Sequence, residues 1–155
     1  MPGEFYIEGK KEKADLAQVL AGIARLEVAG AAIKASTDRL AGETPGMGSA
    51  TADWQAAEAD VVSIGADDIR CKLHSLLLSI HNLAGTAATV RLYMKVAGTE
   101  RKLYEQAFNA ATDPPGLWIV NGTVGLHQAL RLTLQSNDAS DNGKAVDYDY
   151  MLEAM

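Results

Sequence analysis

Near the start of the chain, apolar residues recur at alternating spacings of three and four residues. This spacing is typical of the a and d positions of a heptad repeat, whose period favours supercoiled helices over simple packing of one helix on a sheet. Gly30 and Thr37 fill the two remaining positions. The pattern predicts a coiled-coil helix over residues 11–41, with an oligomerisation seam formed by Leu16, Val19, Ile23, Leu26, Ile33 and Leu40.

The outward positions of this helix are more apolar than those of a free coiled coil. Leu20 widens the seam, which favours three helices over two, and Ala17, Ala21 and Val28 occupy positions where Glu and Lys are usual. Small apolar residues all round a helix indicate that other protein covers it. We therefore expect a trimer whose helix is seated among other subunits. The alternative is an amphipathic helix that lies on the sheet of its own chain.

Beyond the helix, the composition changes to Gly, Pro and Ser over residues 42–49, which predicts a linker. Apolar residues then alternate with polar ones, most clearly over residues 90–96, and a turn at 97–99 leads into a second run that ends at Phe108. Residues 50–155 therefore predict an antiparallel β-sandwich of the jelly-roll type, and the fold class is α+β. Strands are expected at residues 50–55, 60–64, 69–80, 90–96, 100–108, 117–120, 129–135 and 145–153.

The first ten residues carry an apolar cluster of their own. Phe5, Tyr6 and Ile7 lie between Gly3 and Gly9, in a segment too short to fold alone. An anchoring arm over residues 1–10 that docks onto a partner would explain them. A frayed terminus that folds back on its own helix explains them equally well, since chain ends are poorly ordered unless they are tied down.

Composition limits the partners of the chain. Its 155 residues are 48% hydrophobic, and 14 basic against 20 acidic residues give a net charge of −6, so nucleic acid and anionic membranes are unfavourable partners. The charge-free apolar stretch of residues 16–24 is shorter than the roughly 20 residues that cross a bilayer. The N-terminus lacks the pattern of a signal peptide. We expect a soluble protein that is made in the cytoplasm and does not bind membranes.

A few polar segments could hold a metal ion. Residues 137–143 are rich in Asp and Asn before a Gly, as in some calcium loops, although a solvated turn between strands explains them as well. Cys71 and His74 form a Cys-x-x-His fragment, but Cys71 is the only cysteine, and the two residues would face opposite sides of a strand. Asp147 and Asp149 alternate with tyrosines and would share one face of the last strand. No metal site or cofactor is expected.

Enzyme chemistry has little support in the sequence. Ser75 and Ser79 lie close in sequence to His74 and His81, but no strand-turn-helix nucleophile elbow surrounds either serine. Carbohydrate binding is the stronger candidate, because Tyr93, Tyr104 and Trp118 could stack on the apolar faces of sugars. Tyr93 and Tyr104 lie on the two strands of the predicted hairpin. The alternative is that these aromatic residues belong to the core or to an interface.

The order of these segments resembles that of small virion accessory proteins of tailed bacteriophages, including fibre, spike and head-decoration proteins. The residues that carry the resemblance are Phe5–Ile7, the heptad of Leu16–Leu40, the linker and the strand-rich region that ends in Val146–Tyr150. Such proteins typically join a short anchoring arm, a trimeric coiled coil and a β-sandwich knob. Non-viral trimeric adhesins and lectins share this plan.

The resemblance implies a non-enzymatic structural component of a virion, made in the host cytoplasm. The helix would form the trimer, the arm would anchor it to other virion proteins, and the sandwich would be presented at the particle surface, where it could contact a host glycan. The alternative is a carbohydrate-binding module or adhesin.

Overall fold

The structure, a computed structural model, describes residues 4–39 and 42–155, with the side chains of residues 16–34, 37 and 42–155. The chain divides into two compact units between residues 41 and 42. We describe each unit by itself. The second unit is called the head below.

The first unit is a single helix, α1, which extends over Glu4–Arg39. It begins seven residues earlier than predicted, so Phe5, Tyr6 and Ile7 lie in helical backbone rather than in a separate arm. No proline interrupts residues 4–39, and one glycine at position 9 costs only about 1 kcal/mol relative to alanine. The side chains of residues 5–7, and all of Leu40, lie outside the described residues.

The head contains eight strands and one short 3₁₀ turn. Seven of the eight predicted strands are found, and most of these begin and end within two residues of the predicted positions, whereas the strand predicted at 50–55 overlaps β1 only at residues 50 and 51. Their bounds are β1 (Glu43–Thr51), β2 (Ala59–Ile64), β3 (Cys71–Ser79), β4 (Ala88–Val96), β5 (Thr99–Phe108), β6 (Gly116–Leu126), β7 (Leu130–Ser136) and β8 (Ala145–Ala154), with the 3₁₀ turn at Ala139–Asp141.

The strands form two antiparallel four-stranded sheets. Sheet 1 has the order β1-β8-β3-β6, and sheet 2 has the order β2-β7-β4-β5. The first strand pairs with the last, the second with the seventh, the third with the sixth and the fourth with the fifth. The chain is thus one long hairpin whose successive strand pairs fall in alternate sheets, which is the jelly-roll arrangement. The fold of the head is the β-sandwich that the sequence predicts.

The core lies between the two sheets and is made of the inward residues of alternating strands. In β3, for example, Leu73, Leu76 and Leu78 are buried, while Leu77 between them is turned to the outer face. Trp54, which follows β1, is fully buried, and its indole N–H donates to the Lys144 carbonyl at 2.7 Å. Burial of side chains of this size stabilises the fold by about 1.5–3 kcal/mol each.

Strand β1 occupies the residues that the sequence analysis assigned to a linker, so that prediction is wrong. Gly46 and Gly48 face Tyr150 and Tyr148 of β8 across the strand pair. A Cβ atom added at Gly48 would lie 2.5 Å from the Tyr148 hydroxyl oxygen, and one added at Gly46 would lie 2.5 Å from Tyr150 Cε2. The tyrosine rings cover the glycines and stabilise a strand that has few side chains of its own. The glycines are therefore packing residues of a strand.

The loop before β8, which the sequence analysis considered for calcium, is attached to the core by Asp141. This side chain is fully buried and accepts hydrogen bonds from the backbone N–H groups of Ala84 (2.7 Å) and Gly85 (3.0 Å). It also accepts from Ser136 Oγ at 2.6 Å and from Lys144 Nζ at 3.2 Å. Burial alone would raise the pKa of Asp141, but these donors outweigh burial and lower the pKa below its usual value. The Asp141 carboxylate thus accepts its hydrogen bonds from backbone and side-chain groups of its own chain.

The contact between glycine and tyrosine can be tested by adding one methyl group. We expect Gly46→Ala to destabilise the head by about 1–3 kcal/mol, because the new Cβ must displace the Tyr150 ring. Urea denaturation followed by circular dichroism measures this change. Gly125→Ala is the matched control, since a Cβ there meets nothing within 4 Å. Equal losses of stability in the two variants would contradict the proposed contact. The contact would also be contradicted if Gly46→Ala destabilised a chain that carries Tyr150→Ala as much as it destabilises the parent chain.

Asp141→Asn tests the buried carboxylate. The amide has the same shape as the carboxylate, but its NH₂ group faces hydrogen-bond donors. We therefore expect the free energy of unfolding to fall by about 2–4 kcal/mol at pH 7. Because the pKa of Asp141 is lower in the folded chain than its ordinary value of about 3.9, its stabilisation is present above that pH and is lost as the pH falls through the folded value.

Urea unfolding from pH 7 down to pH 2 should therefore show a weaker acid dependence for Asp141→Asn than for the parent chain. Asp149→Asn, on the exposed outer face of β8, is the control and should change the unfolding midpoint little. A parent-like acid dependence in Asp141→Asn would contradict this role of the buried carboxylate.

Candidate functional site

The predicted seam of α1 is exposed to solvent along its described length. We call the described members of this seam the ridge, which consists of Leu16, Val19, Ile23, Leu26 and Ile33. Every described helix residue from 16 to 34 is exposed. The ridge residues have exposed fractions of 60% for Leu16, 58% for Val19, 47% for Ile23, 73% for Leu26 and 67% for Ile33. Stripes of exposed large apolar side chains mark contact surfaces.

The helix also has apolar residues away from the ridge. Leu20 and Val28 are 58% and 72% exposed. By length and composition, the segment Leu16–Lys34 is a candidate to cross a membrane. The charge-free stretch of residues 16–24 covers only part of this segment, because Arg25 and Glu27 follow it, and that stretch alone is too short to predict a membrane span.

A second candidate site lies on the outer face of sheet 1. An open trough of about 520 Å³ runs across β1, β8 and β3 to the start of β6. This volume lies within the range of roughly 300–1,000 Å³ that is typical of small-molecule sites. We call it the outer trough. The side chains that line it and are used below are Met47, Ser49, Leu77, Ser79, Asp147 and Asp149.

Strand register arranges the outer trough in two rows. The first row crosses the sheet through Ser49, Asp147, Ser79 and Gly116, and is small and polar. The second row, two residues along each strand, passes through Met47, Asp149 and Leu77 and is mainly apolar. It continues to Trp118, which pairs with Leu77 and borders the trough without lining it. Met47 and Trp118, at the ends of this second row, are 73% and 60% exposed. The trough thus combines apolar walls with two carboxylates and two hydroxyl groups.

His81 lies beside the polar row but does not form a catalytic triad. Ser79 Oγ lies 2.8 Å from His81 Nδ1, and the nearest Asp147 oxygen lies 3.9 Å from the same nitrogen. A triad requires the nucleophile and the acid to bind the two different ring nitrogens. In this arrangement the serine and the aspartate approach one nitrogen, so the geometry does not activate Ser79.

His74 lies on the same outer face, nearer the other end of β3. Its ring nitrogens contact Thr123 Oγ1 at 2.9 Å and Glu153 Oε2 at 2.8 Å, and Lys72 Nζ lies 3.1 Å from Glu153 Oε1. The Lys72 ammonium and then His74 lower the pKa of the Glu153 carboxyl. Cys71 is buried on the inner face, where burial raises the pKa of its thiol, so Cys71 and His74 are on opposite faces, as expected from their spacing.

Sheet 2 has a different outer face, on which charges pair with one another. Arg131 bonds Asp60 at 2.5 Å and Glu100 at 2.8 Å, and its guanidinium lies 4.7 Å from the centre of the Tyr93 ring. Arg91 in turn bonds Glu58 at 3.1 Å and Glu105 at 2.6 Å, and Lys102 also bonds Glu105. Lys102 and Arg91 lower the pKa of Glu105, and Arg131 lowers that of Glu100.

The three predicted sugar-stacking residues do not form one platform. Tyr93 lies on the outer face of sheet 2, where its hydroxyl donates to Glu58 at 3.2 Å. Tyr104 pairs with the buried Leu92 and packs against the core, so it lies on the inner face. Trp118 belongs to sheet 1. The predicted pair of Tyr93 and Tyr104 is therefore wrong as a site, and Trp118 alone is strongly exposed.

Sequence reasoning did not identify the outer trough, because Met47 and Ser49 were assigned to a linker. One signal in the sequence could have revealed it. Met47 and Ser49 alternate with glycines, and Asp147 and Asp149 alternate with tyrosines. Two segments with matching alternation are typical of paired strands, in which the two sets of residues face opposite sides. Each set of outward residues would then line the same face of the sheet.

Among the residues that the structure describes, no cluster of three or more His, Cys, Asp or Glu side chains is arranged to hold a metal ion. Asp141 is fully engaged by its own donors, and Asp138, the other carboxylate of the 137–143 loop, accepts a hydrogen bond from the Ser140 backbone N–H at 2.8 Å. These hydrogen bonds stabilise the turn that precedes β8.

Neither a protein-family model nor a curated protein sequence matches the chain. Among solved structures, it is similar to a chain in the structure of the Gx strain of infectious bursal disease virus, with a TM-score of 0.38 and 12% sequence identity. The similarity covers 73% of this chain and 33% of the viral chain. The chain thus spans about a third of the length of that viral protein.

Proposed function

We propose that the protein is a non-enzymatic structural component of a virus particle, which self-associates through the ridge of α1 and presents its jelly-roll head at the particle surface. The observation that carries the proposal is the exposure of the ridge in the single chain. The virion assignment rests on the arrangement of an N-terminal helix before a jelly-roll head, which resembles that of virion accessory proteins.

Burial of the apolar side chains of the ridge would stabilise association of the chains. Full burial of one Leu, Ile or Val side chain contributes about 1.5–3 kcal/mol to stability. Five such residues in register would contribute on the order of 5 kcal/mol or more per chain to association. Gly22 and Gly30 each weaken an isolated helix by about 1 kcal/mol, so packing against neighbouring helices offsets this cost. Sister chains supply a matching surface, because each copy has the same ridge.

A trimer fits the residues beside the ridge better than a dimer. Leu20 is 58% exposed and occupies the position next to the seam, where a dimer would leave it in solvent. Three helices give a wider core that covers this position as well. Weak contacts made by each head would then act together, since three linked copies raise the effective concentration of the second and third contacts.

Bilayer insertion of α1 is the rival explanation of the ridge. Arg25 lies at the centre of the segment Leu16–Lys34, with Glu27 two residues away. An arginine at the centre of a membrane helix raises the free energy of insertion by about 2.5–3.5 kcal/mol, while each Leu, Ile or Val lowers it by only about 0.3–0.6 kcal/mol. Several large apolar residues are therefore needed to offset Arg25 alone. These magnitudes favour a helix bundle in water.

The head supports a presenting role through the way its charges are used. On the outer face of sheet 2, Arg91 and Arg131 each hold two carboxylates, so the charged groups there stabilise the surface of the sheet. Asp141 binds the 137–143 loop to the core in the same way. These groups serve the rigidity of the head, which suits a component whose task is assembly and contact.

Sedimentation velocity of the full chain tests the proposal. We expect a trimer for the parent chain and a monomer for Leu26→Lys, because a charge in the seam cannot be buried among apolar side chains. Val28→Lys is the matched control. Val28 is as exposed as Leu26 but lies on the opposite side of the helix from the ridge, so this variant should remain a trimer.

The same variants separate self-association from membrane insertion. A bilayer surrounds a helix on all sides, so Val28→Lys and Leu26→Lys would then weaken flotation with lipid vesicles equally. Self-association requires the two variants to differ. A parent chain that sediments as a monomer, or equal effects of the two lysines, would overturn the proposal.

A further inference from the structure

We infer that the outer trough of sheet 1, together with Trp118 at its border, is a binding site for neutral glycans, in which the Trp118 ring stacks on a sugar and Asp147 and Asp149 accept hydrogen bonds from its hydroxyl groups. The inference goes beyond the proposed function, because a structural component requires no ligand site on its head.

The size of the outer trough fits a short oligosaccharide. Trp118 in β6 and the two aspartates in β8 are separated by one strand, β3, so about 10 Å of sheet surface lies between them. That distance accommodates one or two sugar rings lying flat on Leu77. The open trough of about 520 Å³ leaves room for the ring and for its hydroxyl groups.

The lining has the mixed chemistry that a sugar requires. A pyranose ring has an apolar face of C–H groups and an edge of hydroxyl groups. The apolar row offers Trp118, Leu77 and Met47 to that face. The polar row offers the hydroxyls of Ser49 and Ser79, which can donate and accept, together with carboxylates that only accept.

Charge selects among the ligands that could enter. Asp147 and Asp149 would repel the carboxylate of an acidic sugar, and the chain as a whole has a net charge of −6. A lysine or arginine side chain would satisfy the carboxylates but would leave the serine hydroxyls and most of the apolar row uncovered. A neutral sugar matches both rows, and we therefore assign the site to this class.

The chain carries its own reporter of ligand binding. Of its two tryptophans, Trp54 is fully buried and Trp118 is 60% exposed. A sugar that stacks on Trp118 should shift the emission of the full-length protein to shorter wavelength, because it removes water from the ring. Screening should use arrayed neutral oligosaccharides that end in hexose or N-acetylhexosamine, together with their sialylated counterparts, and the neutral glycans bound on the array should then be titrated in solution.

Substitutions in the head test which residues bind the arrayed glycans. Trp118→Ala and Asp149→Ala should each weaken binding to neutral glycans by about tenfold, as expected for the loss of one well-packed contact. Leu103→Ala is the control, since Leu103 is 50% exposed but lies in sheet 2, and it should bind as the parent does. Thermal unfolding of each variant checks that the head remains folded.

The outcomes separate the candidates. Binding of neutral but not of sialylated glycans, lost in Trp118→Ala, supports the site. Absence of binding to any arrayed neutral glycan would overturn it, and so would binding that Trp118→Ala leaves unchanged. Binding of a lysine-rich peptide in place of glycans would assign the trough to a cationic polypeptide. The emission shift should persist in the Leu26→Lys variant, so failure of self-association and failure of glycan binding are distinguishable.

Discussion

The contact between the tyrosines of β8 and the glycines of β1 is the constraint on which the head depends. It joins the first strand of the jelly roll to the last, and so completes sheet 1 at one edge. The same register that places Gly46 and Gly48 on the inner face places Met47 and Ser49 on the outer face. The closure of the sandwich and the shape of the outer trough therefore follow from one pairing of strands. A slip of one residue would exchange the two faces of β1.

The sequence predicts most of this fold because strand alternation is a local signal. The apolar residues of β3, β4 and β7 show it clearly, and each of these strands was found. Strand β1 was missed because its glycines are typical of a linker when they are considered alone. Their role becomes visible only beside the tyrosines of β8, about a hundred residues away. The composition of a segment indicates which structure it favours in isolation, whereas the stability of a packed strand also depends on the strand with which it pairs.

Register also explains why the predicted pair of aromatic residues failed. Ala97 and Gly98 have positive φ angles and form a tight turn, from which simple pairing would place Tyr104 opposite Arg91 and on the same face as Tyr93. A bulge at Leu103 shifts the register by one residue, so Tyr104 pairs with Leu92 and turns inward. A bulge of this kind has no clear sequence signature. The helix ridge was easier to predict, because its spacing is independent of distant residues.

The pairing of the first strand with the last has a consequence for the order in which the protein is made. The ribosome makes β8 after all the other strands of the head, so sheet 1 lacks its closing partner until β8 has been made. Contacts between distant parts of a chain form slowly, while helices form from neighbouring residues. Helix α1 is complete long before the sandwich can close. In the proposed trimer, nascent chains on one messenger RNA would therefore meet through their helices first, and each head would mature within an assembly that already exists.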